Sequence, residues 1–154
     1  MSRLISIIFL IVISFTACRD TELDIPKGFA QYSDDSYHFK LISAEGLRIV
    51  AYKVDYDPGD ESNIDTSLWV KEMELVLKYK GHSKLNTANI TSKKGLKGIY
   101  SEYQTYYNGE SYLYGVTIFI DGDDLYIVES GGKKAHYLRR KEDILQCVQS
   151  FRPA

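Results

Sequence analysis

The sequence predicts an α+β domain with three strands, a helix, four strands and a closing helix in chain order. Three observations carry this. The run from Leu47 to Tyr56 alternates with apolar residues on both sides, as in a central strand covered on both faces. Asn108-Gly109 and Asp121-Gly122-Asp123-Asp124 punctuate a region rich in β-formers, which is the pattern of consecutive hairpins. Two stretches, around Trp69 and around Val148, repeat their apolar residues at helical spacing.

The elements follow in order. Phe29 to Tyr32 is a short strand ending in the turn cluster Ser33-Asp34-Asp35-Ser36. Tyr37 to Ser43 and Leu47 to Tyr56 form a hairpin around Ala44-Glu45-Gly46, with Val50, Tyr52 and Val54 on one face and Leu47, Ile49 and Ala51 on the other. Asp57 to Asn63 is a loop by composition, and Asp65-Thr66-Ser67 supplies oxygens that cap a helix. Leu68, Trp69, Glu72, Leu75, Val76 and Tyr79 are spaced as its inner stripe, and Gly81 stops it. Trp69 at such a position is read as core rather than as a binding anchor. Lys84 to Ser92, Leu96 to Tyr107, Tyr112 to Ile120 and Leu125 to Glu129 form a meander. Lys133 to Phe151 is the last helix, with Ile144, Val148 and Phe151 facing inward and Pro153 beyond its end.

Ahead of this domain stands a leader. Met1 to Ala17 has one basic residue, Arg3, then an apolar run of 12 residues from Leu4 to Phe15, then Thr16-Ala17. This is an export signal, and it is short for a membrane span, which needs about 20 residues. Phe15-Thr16-Ala17-Cys18 resembles the lipobox of bacterial lipoproteins, with Phe15 in place of the usual Leu. That resemblance implies cleavage before Cys18 and lipid on its thiol, often with acylation of the new amine; two or more chains give stable anchoring where one does not. The expected organisation is a leader over 1–17, a lipidated Cys18 with a polar tether over 18–27, and one domain over 28–154. Cys147, the other cysteine, falls beside an apolar stripe with no close cationic neighbour in sequence, and reads as a buried thiol.

The chain has 154 residues, 44% hydrophobic and 26% charged, which is the composition of one globular domain. Its net charge of −2 lacks the basic excess that phosphate backbones require, so nucleic acid is not an expected partner. His38, His82 and His136 lack the close spacing of a ligand pair. Asp121 to Asp124 resembles half a calcium loop but has no glutamate at the twelfth position, so a hairpin is expected. Ser130-Gly131-Gly132-Lys133-Lys134 lacks phosphate-loop spacing and is read as a turning loop rather than an anion site. No nucleophile elbow is present. Neither a metal, a cofactor nor an enzymatic activity is expected.

Phe39-Lys40-Leu41-Ile42-Ser43-Ala44-Glu45-Gly46-Leu47-Arg48, the hairpin from Tyr112 to Glu129 and the ending Val148-Gln149-Ser150-Phe151 resemble the superfamily that joins the Ran-binding nuclear-import factor, the PsbP subunit of photosystem II and the DcrB-type bacterial lipoproteins. The resemblance spans Gly28 to Phe151. It implies an α/β/α sandwich with a twisted, mainly antiparallel sheet and two main helices, and a role in binding other proteins, with no catalytic residues to carry over.

Tyrosine is the unusual residue, with 13 in the chain. Tyr106, Tyr107 and Tyr112 surround the Asn108-Gly109 turn, where an exposed amphipathic patch would compete with ordinary sheet packing. The expected function is therefore a membrane-tethered, non-enzymatic protein-binding or accessory module of the cell envelope. An immunity or chaperone-like lipoprotein and an enzyme with an unfamiliar site are the alternatives. Arg19 after Cys18, where some Gram-negative bacteria place a retaining Asp, implies the periplasmic face of the outer membrane; in a Gram-positive cell the outer surface of the cell membrane takes its place.

Overall fold

The computed structural model describes residues 21–33, 36–55 and 66–153. The leader, Cys18 and most of the loop before the first helix lie outside these residues. The chain folds as β1 (Phe29–Gln31), β2 (Phe39–Ser43), β3 (Arg48–Val54), α1 (Thr66–Tyr79), β4 (Ser83–Thr91), β5 (Lys97–Tyr107), β6 (Glu110–Asp121), β7 (Asp124–Lys133) and α2 (Lys134–Gln149). The seven strands form one sheet in the order β1-β2-β3-β7-β6-β5-β4, with every neighbouring pair antiparallel. The sheet is open, with α1 against one face and α2 against the other. This is the α+β sandwich expected above.

Register follows from side-chain alternation, because a one-residue slip would turn every core residue outward. Ile49 pairs with Ser130 and Ala51 with Val128, and this face joins Phe119, Tyr137, Ile144, Val148 and Phe151 under α2. Val116, Ile118, Leu125 and Ile127 point the other way, to Leu77 of α1. Asn108 and Gly109 both hold positive φ, 48° and 77°, so β5 and β6 turn in two residues with the twist that hairpins favour. Asp121 pairs with Asp124 in the next hairpin, which closes in a two-residue turn as expected.

Under α2 a buried polar chain ties helix to sheet. Tyr137 shares hydrogen bonds with Ser130 (2.8 Å) and Tyr100 (3.3 Å), Tyr100 donates to Glu102 (2.8 Å), and Lys141 closes the chain on Glu102 at 2.7 Å. Gly115 makes room for it: a Cβ there would stand 2.6 Å from the Tyr137 hydroxyl and 2.8 Å from Ser130 Oγ. Cys147 is 2% exposed in the same layer, and burial, aided by Asp24, pushes its thiol up to about 12.

Three expectations are corrected. The α1 stripe read from the sequence is not its inner face. Leu68, Leu75, Val76 and Tyr79 are exposed, Tyr79 by 94%, while Val70, Met73 and Leu77, with Trp69 beside them, meet the sheet. The helix carries apolar residues on two sides, and the narrow seat formed by Tyr103, Val116 and Ile118 accepts only one.

Ser130-Gly131-Gly132-Lys133 is not a loop. It continues β7 to Lys133, and α2 begins at the next residue without a side-chain cap. Glycine serves close approach here, since a Cβ on Gly132 would lie 2.5 Å from Leu47 Cδ2.

Finally, the ordered domain starts before Gly28. Thr21 and Leu23 are buried, at 7% and 4%, and Glu22 forms a two-way backbone bridge with Arg152 at 2.9 and 3.0 Å. Thr21 to Lys27 is packed on the domain, because Leu23 finds core and Asp24 finds Lys93, Arg152 and Ser150.

Candidate binding groove

α1 packs against β4, β5 and β6, leaving part of its face of the sheet to other side chains. Lys40 of β2 is level with Val50 of β3, which is level with Glu129 of β7; one step along, Arg48, Gly131 and Tyr114 form a second row. All six share the face that carries α1. Together with Tyr37 and Tyr112 they line a groove of about 450 Å³, open among the described residues. Gly131 keeps its floor low, and Tyr114 leans over it, 3.3 Å from where a Cβ would be.

The groove is aromatic in its walls and charged at its centre and rim. Glu129 is half-buried and accepts a 2.6 Å hydrogen bond from Tyr52; Tyr114 also bonds to it. Burial first, and then these bonds to a carboxylate, raises the hydroxyls of both tyrosines above the ordinary tyrosine range. They are therefore protonated donors at neutral pH, not nucleophiles. Lys40 sits over the rings of Tyr32 and Tyr37, at 4.7 and 5.2 Å. Tyr37 packs edge-on against Tyr52 at 5.8 Å. His82, just beyond α1, approaches Tyr114 at 5.6 Å, and burial lowers its pKa, which favours the neutral ring. Arg48 is exposed at the rim and pairs with no described carboxylate.

The three tyrosines singled out from the sequence do not form one patch. Tyr107 and Tyr112 share the groove's face, and Tyr107 is 67% exposed beside the half-buried Tyr112. Tyr106, 70% exposed, points to the α2 side, where Gln104 donates to its hydroxyl and Lys134 in turn bonds Gln104. Tyr37, Lys40, Arg48, Tyr114 and Glu129 were not anticipated as a site. They come from distant segments, and each looks like an ordinary strand or loop residue by itself. Gly131-Gly132 was the one local signal, a strand position where side chains are kept away.

Among the described residues, no three His, Cys, Asp or Glu side chains gather to hold a metal ion, and no helix is long and apolar enough to cross a membrane. Among the described residues, what the groove offers is hydrogen bonding, aromatic faces, the Glu129 carboxylate and the exposed Arg48 guanidinium.

An open antiparallel sheet with this helix placement is the PsbP-like fold, and comparison with solved structures identifies it as such. Cyanobacterial PsbP (CyanoP) from Synechocystis sp. PCC 6803 superposes with a TM-score of 0.57 at 12% identity, over 88% of this chain and 87% of that one. LpqN of Mycobacterium tuberculosis, described as involved in cell envelope biogenesis, gives 0.58 at 11% identity, over 86% and 83%. The Pseudomonas aeruginosa protein PA94, of unknown function, gives 0.57 at 12% identity, over 82% and 97%. No family model matches the sequence, and no curated protein matches it. At these identities the likeness is one of fold.

Proposed function

We propose that the protein is a lipid-anchored module of the bacterial cell envelope that binds a protein partner and performs no chemistry of its own. The observation that carries the binding role is the tyrosine-walled groove, in which the Tyr52 and Tyr114 hydroxyls are bonded to Glu129. Tyr52 and Tyr114 keep their protons, and Glu129 is occupied by their hydroxyls. Aromatic side chains with polar tips and an exposed arginine are the groups that dominate protein recognition. Arg48, which pairs with no described carboxylate, favours a segment bearing carboxylates.

The anchor rests on the leader and the lipobox-like Phe15-Thr16-Ala17-Cys18. The envelope setting is supported by LpqN, whose description names envelope biogenesis. Placement on the periplasmic face of the outer membrane rests on Arg19 alone.

Photo-crosslinking in the native envelope tests the binding role. Probes at Arg48 and Tyr112 should capture one protein that a probe at Lys71, exposed on α1, does not, and Arg48→Glu should abolish the capture. Equal capture from Lys71 would reject the groove as the binding surface. The anchor is tested by Cys18→Ser, which should leave the detergent-rich phase; a variant that still fractionates with membranes would refute lipidation.

A further inference from the structure

The ordered N-terminus fixes where a lipid on Cys18 would hold the domain. Three peptide steps separate Cys18 from Thr21, so the buried Thr21 can stand at most about 11 Å of chain from the lipidated residue. Thr21 approaches His38 at 3.4 Å, Glu22 is bridged to Arg152, and Asp24 takes Lys93 at 2.7 Å and Arg152 at 2.9 Å. Lys93 belongs to the β4–β5 turn, and its amide bonds the carbonyl of Gln149 at the end of α2. All of these contacts lie at one end of the sheet.

That end presents a surface suited to lipid headgroups. Lys93, Lys94 and Lys97 are exposed around the β4–β5 turn, and Lys94 and Lys97 pair with no described carboxylate. Ile25, 49% exposed, is the apolar residue beside Asp24. The acidic turn Asp121 to Asp124 is at the same end between β6 and β7, and Asp124 is partly neutralised by Lys53 at 2.6 Å. An anionic bilayer attracts the first corner and repels the second, which gives the contact a direction as well as a position.

We propose that the corner formed by Ile25, Lys93, Lys94 and Lys97 rests on the anionic lipid surface that holds the anchor, so that the groove and the Asn108-Gly109 hairpin face away from it. β5 runs from Lys97 to Tyr107, and its 11 residues at about 3.3 Å each put the hairpin roughly 30 Å or more beyond the basic corner. The inference rests on the anchor reading of Cys18. It turns the module into an oriented one, with its binding surface presented to the compartment rather than to the bilayer.

The test uses the mature lipoprotein purified from membranes and reconstituted in vesicles of phosphatidylethanolamine and phosphatidylglycerol. A fluorophore is placed at Lys94→Cys or at Tyr107→Cys, both exposed positions, with the buried Cys147 left in place. A nitroxide on the lipid headgroup should quench the label at 94 at least fivefold more than the label at 107. Replacing Lys93, Lys94 and Lys97 by Glu, with the label moved to Ile25→Cys, should reduce quenching there severalfold while lipid remains attached. Equal quenching at 94 and 107 in protein that mass spectrometry shows to be lipidated would overturn the orientation and leave the anchor standing. Protein without lipid on Cys18 would overturn both.

Discussion

Tyr52 on β3 reaches diagonally across to Glu129 on β7 and donates a 2.6 Å hydrogen bond to its carboxylate. The pair joins the two strands that floor the groove, and it explains why a carboxylate sits there without a salt bridge in view. Tyr52→Phe should cost about 1 kcal/mol in urea denaturation, low for a bond to a charged group because Glu129 is half-exposed. It should also free Glu129 to move and weaken partner capture. Unchanged stability and unchanged capture together would show that the bond holds nothing in place.

Alkaline pH should unfold the domain cooperatively. Burial raises Tyr52, Tyr100, Tyr114 and Tyr137 above the ordinary value near 10. A raised folded-state pKa means that the unfolded chain loses its protons first, so the stabilisation is complete below about pH 10 and is lost as pH rises beyond it. Tyrosinate absorbance should therefore rise in two phases, the exposed rings first and the buried ones together with loss of circular dichroism. A single smooth titration with the fold intact would contradict the burial.

Gly115→Ala should be destabilising by about 1–3 kcal/mol, the usual range for overpacking. Its methyl group would enter the space held by Tyr137, Ser130 and Tyr100. Gly46→Ala is the comparison for backbone strain without crowding, since nothing lies within 4 Å of a Cβ there although φ is 79°. Thermal melts of both variants separate the two effects, and a Gly115→Ala variant as stable as the parent would show the polar chain under α2 to be loosely packed.

Cys147 should react slowly with a thiol reagent in the native domain and fast in denaturant. Its exposure is 2%, and its thiol is held near 12 by burial and the nearby Asp24 carboxylate. Prompt labelling of native protein would mean that α2 opens readily.

Tyr107→Ala together with Tyr112→Ala should weaken partner capture while changing stability by about 0.5 kcal/mol for the exposed Tyr107 and somewhat more for the half-buried Tyr112. Tyr106→Ala should leave capture intact, because its ring lies on the α2 side with Gln104. Equal loss from Tyr106→Ala would place the binding surface at the hairpin tip instead of along the groove.

The sequence by itself determined what depends on near neighbours. Strand alternation in β3 assigned Val50 and Ile49 to opposite faces, Asn108-Gly109 set the hairpin, and Ile144, Val148 and Phe151 marked the buried side of the last helix. These follow from periods of two and 3.6 and from local φ preferences, which a linear reading captures. Only the tertiary structure decided which of two apolar sides of α1 turns inward, because both have helical spacing and the choice depends on the seat formed by Tyr103, Val116 and Ile118. It likewise decided that Leu23, in a polar stretch, is core, and that Gly131 and Gly132 are strand rather than loop. The groove belongs to this second kind. Lys40, Arg48, Tyr114 and Glu129 meet through register across four strands, and the part of the sheet face that α1 leaves to them is set by packing between segments far apart in the chain.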